Sequence, residues 1–116
     1  MLHRDMRRAV LDIERDPASQ GFESAAYDIV IAANAIHATA DLRQSIQNVR
    51  NLLAPGGLLL LLEGVAPERW VDLSFGLTDG WWRFSDSSLR KNYPLISRAT
   101  CVSMGASNFW GDSITK

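Results

Sequence analysis

The sequence predicts an α/β fold built on part of a doubly wound parallel sheet, and three observations predict it. Two apolar runs, YDIVIAA at Tyr27–Ala33 and LLLLL at Leu58–Leu62, have strand length and lack the polar alternation of a half-solvated strand. Such runs read as strands covered on both faces. Between them lies an amphipathic helical stretch, and strand, helix and strand within roughly 35 residues form a right-handed crossover unit with parallel strands. Each strand also delivers a residue able to do chemistry to its C-terminal end, His37 just past the first and Glu63 directly after the second. In an open parallel sheet, ligands bind at that edge.

Upstream of this unit, the run RAVLDI reads as a short buried strand over Ala9–Ile13 with Asp12 at its end, closed by Glu14 and the Asp16-Pro17 turn. Residues 19–26 are small or polar, with Phe22 the one candidate for burial, and read as a loop. The helix starts at Asp41, an N-cap with Gln44 three residues on, and carries Leu42, Ile46, Val49 and Leu53 on one face, with Arg43 and Arg50 toward water. Pro55-Gly56-Gly57 stops it and turns the chain. After Glu63 come Trp70, Phe75, Trp81, Trp82, Phe84 and Tyr93, broken by Gly76, Gly80 and Pro94. So many aromatics outside a sheet suit a lid or pocket wall, with a helical turn or two over 71–77 placing Trp70, Leu73 and Leu77 on one side. The expected organisation is one partial domain over residues 1–97 and an irregular tail over 98–116.

The chain has 116 residues, 47% hydrophobic and 22% charged, with a formal net charge of -1. That balance gives no reason to expect a polyanionic partner, so nucleic-acid binding is disfavoured. A single cysteine, Cys101, has no Cys or His neighbour at metal-ligand spacing, so no metal is expected and a reducing, cytoplasmic setting is the default. The charged start MLHRDMRRAV lacks a signal peptide's apolar stretch, and LLLLL is too short to span a bilayer.

A neutral imidazole at a strand-to-helix loop can accept a proton near pH 7. The alternative for His37 is a structural imidazole bonded within its own loop. Glu63, at the rim of an apolar layer, needs a partner if buried; its alternative is a solvated strand end. Adjacent parallel strands lie about 4.8 Å apart, so the two side chains emerge together as a base and its orienter. Asp12 could accept hydrogen bonds from a ribose or an adenine amine, or simply serve its turn. Trp81 and Trp82 could contact substrate or pack under a loop.

With these residues in hand, the chain resembles the C-methyltransferase domain of modular type I polyketide synthases, a class I S-adenosylmethionine-dependent Rossmann-like fold. The resemblance covers about Val10 to Ser97 and rests on LDIERDP with QGF, YDIVIAANAIHAT, LLAPGGLLLLLEG, and ERWVDLSFGLTDGWWRF followed by YPLIS. Many methyltransferases carry YDIVIA and PGG; HAT, LLLLLEG and GLTDGWWRF in combination are far more specific. The resemblance implies that Asp12 and Ile13 hold the adenine of S-adenosylmethionine, that Asn34 lines the methionine side, and that His37 and Glu63 form the catalytic dyad. It further implies a β-ketoacyl substrate tethered through phosphopantetheine to an acyl carrier protein, neighbouring synthase domains, and methylation of the α-carbon. Trp81 and Trp82 would then wall the acyl pocket.

Two departures bear on activity. The family's first strands and glycine-rich turn are expected upstream of Val10, and the eight glycines here include no G-x-G pair. The tail after Ser97 lacks the apolar pattern of a further helix and hairpin. The isolated chain is therefore expected to be weakly active or inactive, the alternative being a non-catalytic remnant that needs a partner to complete its sheet.

Overall fold

A computed structural model describes residues 6–64, 69–90 and 93–96. Its centre is the expected crossover unit: strand β1 (Tyr27–Ala33), helix α1 (Leu42–Leu52) and strand β2 (Leu53–Leu62), followed by a short helix α2 (Arg69–Phe75). The two strands pair in parallel, with Ile29 opposite Leu58 and Ala33 opposite Leu62. β2 begins earlier than expected, because Leu53 leaves the helix and pairs with Tyr27. Pro55-Gly56-Gly57 then lies inside the strand as an irregularity in the ladder, after which Leu58–Leu62 run in regular register. Gly56 sits at φ +77°, and a Cβ on Gly57 would come within 2.9 Å of the Ala54 carbonyl oxygen and 3.1 Å of that of Tyr27. Only glycine allows that approach.

Helix α1 begins as the sequence predicts. The Asp41 side chain accepts the Gln44 N–H at 3.2 Å, and a second carboxylate, Asp86 Oδ2, accepts the Leu42 N–H at 2.9 Å. Two otherwise unpaired donors of the first turn are thereby satisfied. Leu42, Ile46 and Val49 face the sheet and join Ala32, Ile36, Leu59 and Ile96 in one buried cluster, with Leu53 packed at its margin. Arg43 and Arg50 lie exposed, as expected.

Ala9–Ile13 forms no strand. It runs as irregular chain with Val10 93% exposed, because among the described residues no neighbouring strand pairs with it. Asn48, buried on α1, holds this segment by donating to the carbonyls of Ile13 at 2.7 Å and Arg15 at 3.2 Å. A short 3-10 turn at Ala18–Gln20 interrupts the expected loop. The strands are covered on one face only: Ile29 is 57% and Ile31 64% exposed, opposite to the face where Ala32 meets α1. In α2, Trp70 and Leu73 are exposed, as is Leu77 just beyond it, so the expected apolar side is not turned to the core. The expected tail, 98–116, lies outside the described residues.

This one-sided burial sets a stability contrast. Ile46→Val should lower the stability of the chain by about 0.5–1.5 kcal/mol, whereas Ile31→Val should change it by less than about 0.5 kcal/mol. Urea unfolding midpoints check both, and equal losses would mean that the bare face is covered in solution.

Candidate active site

The end of β1 and the end of β2 meet as the register requires. Asn34, at φ +49°, continues the ladder one step past β1 by donating its N–H to the Leu62 carbonyl at 2.7 Å. Asn is among the residues that tolerate this left-handed conformation. The chain then makes a 3-10 turn over Ile36–Ala38, which carries His37 and is closed by the buried Thr39 hydroxyl on the Ile36 carbonyl at 2.7 Å.

Glu63 organises that turn from the neighbouring strand. Its side chain is only 3% exposed, and every oxygen has a donor. Oε1 accepts the N–H groups of Ala35 at 3.0 Å and Ile36 at 2.8 Å, while Oε2 is hydrogen-bonded to His37 Nδ1. A buried carboxylate with three donors is a satisfied group rather than a stranded charge. With Glu63 ionised it can only accept, so the proton of this bond is assigned to Nδ1, which leaves the Nε2 lone pair as the available base.

His37, Asn34 and Glu63 all line one cavity of about 930 Å³, whose remaining wall includes Trp70, Val71, Phe75, Trp81 and Pro94. Trp81 is buried and meets the His37 ring edge to face at 5.8 Å, with Phe75 stacked on it at 5.8 Å. The expected aromatic wall is therefore formed by Trp81 but not by Trp82. Trp82 lies half exposed, absent from the cavity lining, with its indole N–H donating to the Gly76 carbonyl at 2.8 Å.

Asp12 and Ile13 do not line the cavity. Asp12 Oδ1 accepts the Glu14 N–H at 3.0 Å, and the Gln20 amide closes on the Asp12 backbone, accepting its N–H at 2.9 Å and donating to its carbonyl at 2.8 Å. That is turn chemistry, the alternative already open for Asp12 in the sequence. Ile13 packs at the edge of the core.

Four further residues shape the site and were missed in the sequence. Glu14 accepts the Ala40 N–H at 2.6 Å and pairs with Arg83 at the cavity wall. Arg90 and Asp86 form a buried ion pair behind the His37 turn. The i,i+4 spacing of Asp86 and Arg90 was the one available signal, and it gives no hint of contacts some fifty residues away. Among the described residues, no group of three or more His, Cys, Asp or Glu could hold a metal ion, and no helix is long and apolar enough to cross a membrane.

Comparison with known proteins bears on the family and the fold. Residues 3–59 match a family model described as a methyltransferase domain. A highly reducing polyketide synthase, otaA of Aspergillus carbonarius, is 50% identical over 94 residues, 80% of this chain and 4% of that protein. The crystal structure of the CurJ carbon methyltransferase matches with a TM-score of 0.78 and 56% identity, covering 81% of this chain and 25% of that one. The trans-methyltransferase CalH, solved in complex with SAH, matches with a TM-score of 0.74 and 44% identity over 81% of this chain and 26% of its own. The chain thus spans a small part of the synthase and about a quarter of the solved methyltransferases. A parallel two-stranded sheet with its crossover helix, and identities of 44% and more to these proteins, place it: the chain belongs to the methyltransferase domain family, with a Rossmann-like fold, and is similar to the carbon methyltransferases and the polyketide synthase named above.

Proposed function

We propose that the protein carrying this chain methylates the α-carbon of a β-ketoacyl thioester held on an acyl carrier protein, with S-adenosylmethionine as methyl donor and His37 as base. The observation that supports this most is the buried Glu63 carboxylate, which binds the His37 ring on one oxygen and the backbone of its turn on the other. A carbon between a ketone and a thioester is acidic enough for an imidazole to deprotonate. Nε2 of His37 takes that proton; Glu63 holds the tautomer that makes Nε2 the acceptor and stabilises the imidazolium formed. Trp81, Phe75 and Trp70 line the cavity beside the base with apolar surface.

The residues present suit the methionine half of S-adenosylmethionine. Asn34 brings an amide to the cavity at the end of β1, next to the base, and that half is what the Asn34 assignment requires. The donor, when bound, supplies an electrophilic methyl on a sulfonium, and the enolate carbon needs alignment with it more than any further group. The adenine half is assigned by resemblance to Asp12 and Ile13, which here stand outside the cavity, so the described lining supplies no adenine contact from them. Accordingly, the 116-residue chain by itself is expected to bind S-adenosylmethionine poorly. Titration calorimetry giving a micromolar Kd for the chain alone would contradict that.

The test of function is product identity. The full-length protein, supplied with methyl-labelled S-adenosylmethionine and a β-ketoacyl pantetheine thioester, should place the label on the α-carbon. Label on oxygen instead, or none on any acyl thioester offered, would refute the assignment.

A further inference from the structure

Arg90 is 2% exposed, yet it is a full cation. All the N–H donors of its guanidinium are used: Nε donates to Asp86 Oδ1 at 2.7 Å, Nη1 to the carbonyls of His37 at 2.7 Å and Pro94 at 3.2 Å, and Nη2 to those of Thr39 at 2.7 Å and Ala40 at 3.1 Å. The ring of Phe84 lies 5.1 Å from its centre. Asp86 extends the group to the N-terminus of α1 through the Leu42 N–H.

The placement of these bonds is what matters. Glu63 holds the turn carrying His37 by the amides that enter it, at Ala35 and Ile36. Arg90 holds the same turn by the carbonyls that leave it, at His37, Thr39 and Ala40. The main chain of the base is thus clamped on both sides, while its ring is hydrogen-bonded to Glu63 and packed against Trp81. Through Pro94 the guanidinium also ties this turn to the segment whose Pro94 and Leu95 line the same cavity.

We propose that Arg90 is a positioning residue for His37, a planar clamp that keeps the imidazole in register with Glu63 and the pocket wall in register with the imidazole. This rests on the reading of His37 as the base. A lysine preserves the charge but brings three donors on a flexible stem, and it cannot reproduce five bonds in one plane. Arg90→Lys should therefore leave a folded protein whose base is misplaced.

A carboxylate-bound imidazole N–H that is shielded from solvent gives a proton resonance well downfield of the amides, so the pair can be observed without catalysis. The full-length protein labelled with 15N-histidine should show this signal, assigned by its loss in His37→Gln. Arg90→Lys should lose it and lower kcat about 10–100-fold, the cost of a slightly misplaced group, with KM for S-adenosylmethionine unchanged within a factor of two. Asp86→Asn, which keeps the guanidinium but weakens its anchor, should broaden the signal and lower kcat less. Leu52→Ala, a cavity in the core remote from the turn, should lower Tm while keeping signal and kcat. If Arg90→Lys folds and retains the resonance, or, should it fail to fold, if Asp86→Asn leaves resonance and kcat intact, the clamp is refuted while His37 stands as the base. If instead His37→Gln turns over like the parent, it is the assignment of the base that fails.

Discussion

Replacing His37 by glutamine is expected to lower methylation by about 10²–10⁴-fold, the range that a positioned general base contributes. Glutamine retains polarity and volume but has no lone pair of useful basicity, and the position is at the surface of a cavity rather than in the core. Stability should change little, because the turn is held by Glu63 through Ala35 and Ile36 and by Arg90 through main-chain carbonyls, none of which needs the imidazole. Single-turnover rates with a β-ketoacyl pantetheine thioester, alongside a thermal melt, check both halves. A variant that melts like the parent and methylates at the parent rate removes His37 from the reaction.

The second large effect separates the two duties of Glu63. Glu63→Gln can still accept the Ala35 and Ile36 N–H groups on its amide oxygen, so the turn should survive. Its NH₂ group then faces His37 Nδ1 and can only donate, which favours the tautomer with the proton on Nε2. The available nitrogen is then already protonated and the base is silenced; a loss of about 10²–10⁴-fold is expected at nearly unchanged stability. Glu63→Ala differs in kind, since it also strands two N–H donors at about 1–3 kcal/mol each when buried. Melting temperatures should therefore fall for alanine and hold for glutamine, while both lose turnover. Glutamine retaining full activity would show that Glu63 serves the turn alone.

Much of this arrangement was legible because it depends on local pattern. β1, the helix cap at Asp41, and Leu58–Leu62 follow from apolar run length, capping chemistry and helical spacing, and the pairing of His37 with Glu63 follows from parallel register. Ala9–Ile13 misled because an apolar run states only that burial is wanted; with no strand beside it among the described residues, the run stays irregular. Expected burial on both faces failed for the same reason at Ile29 and Ile31. Trp81 and Trp82 are adjacent and alike, and one faces the cavity while the other turns to the Gly76 carbonyl, a choice made by the geometry of a 3-10 turn. Arg90 was invisible because its value lies in distant main-chain carbonyls, which carry no side-chain signature at all.

Proton abstraction can be watched apart from methyl transfer. The measurement is exchange of the α-hydrogens of a β-ketoacyl pantetheine thioester with D₂O, by mass spectrometry, on the full-length protein with no methyl donor added. The parent should exchange them well above the buffer rate, and His37→Gln and Glu63→Gln should fall to that rate. Exchange by either variant equal to that of the parent would contradict the assignment of this pair as the base.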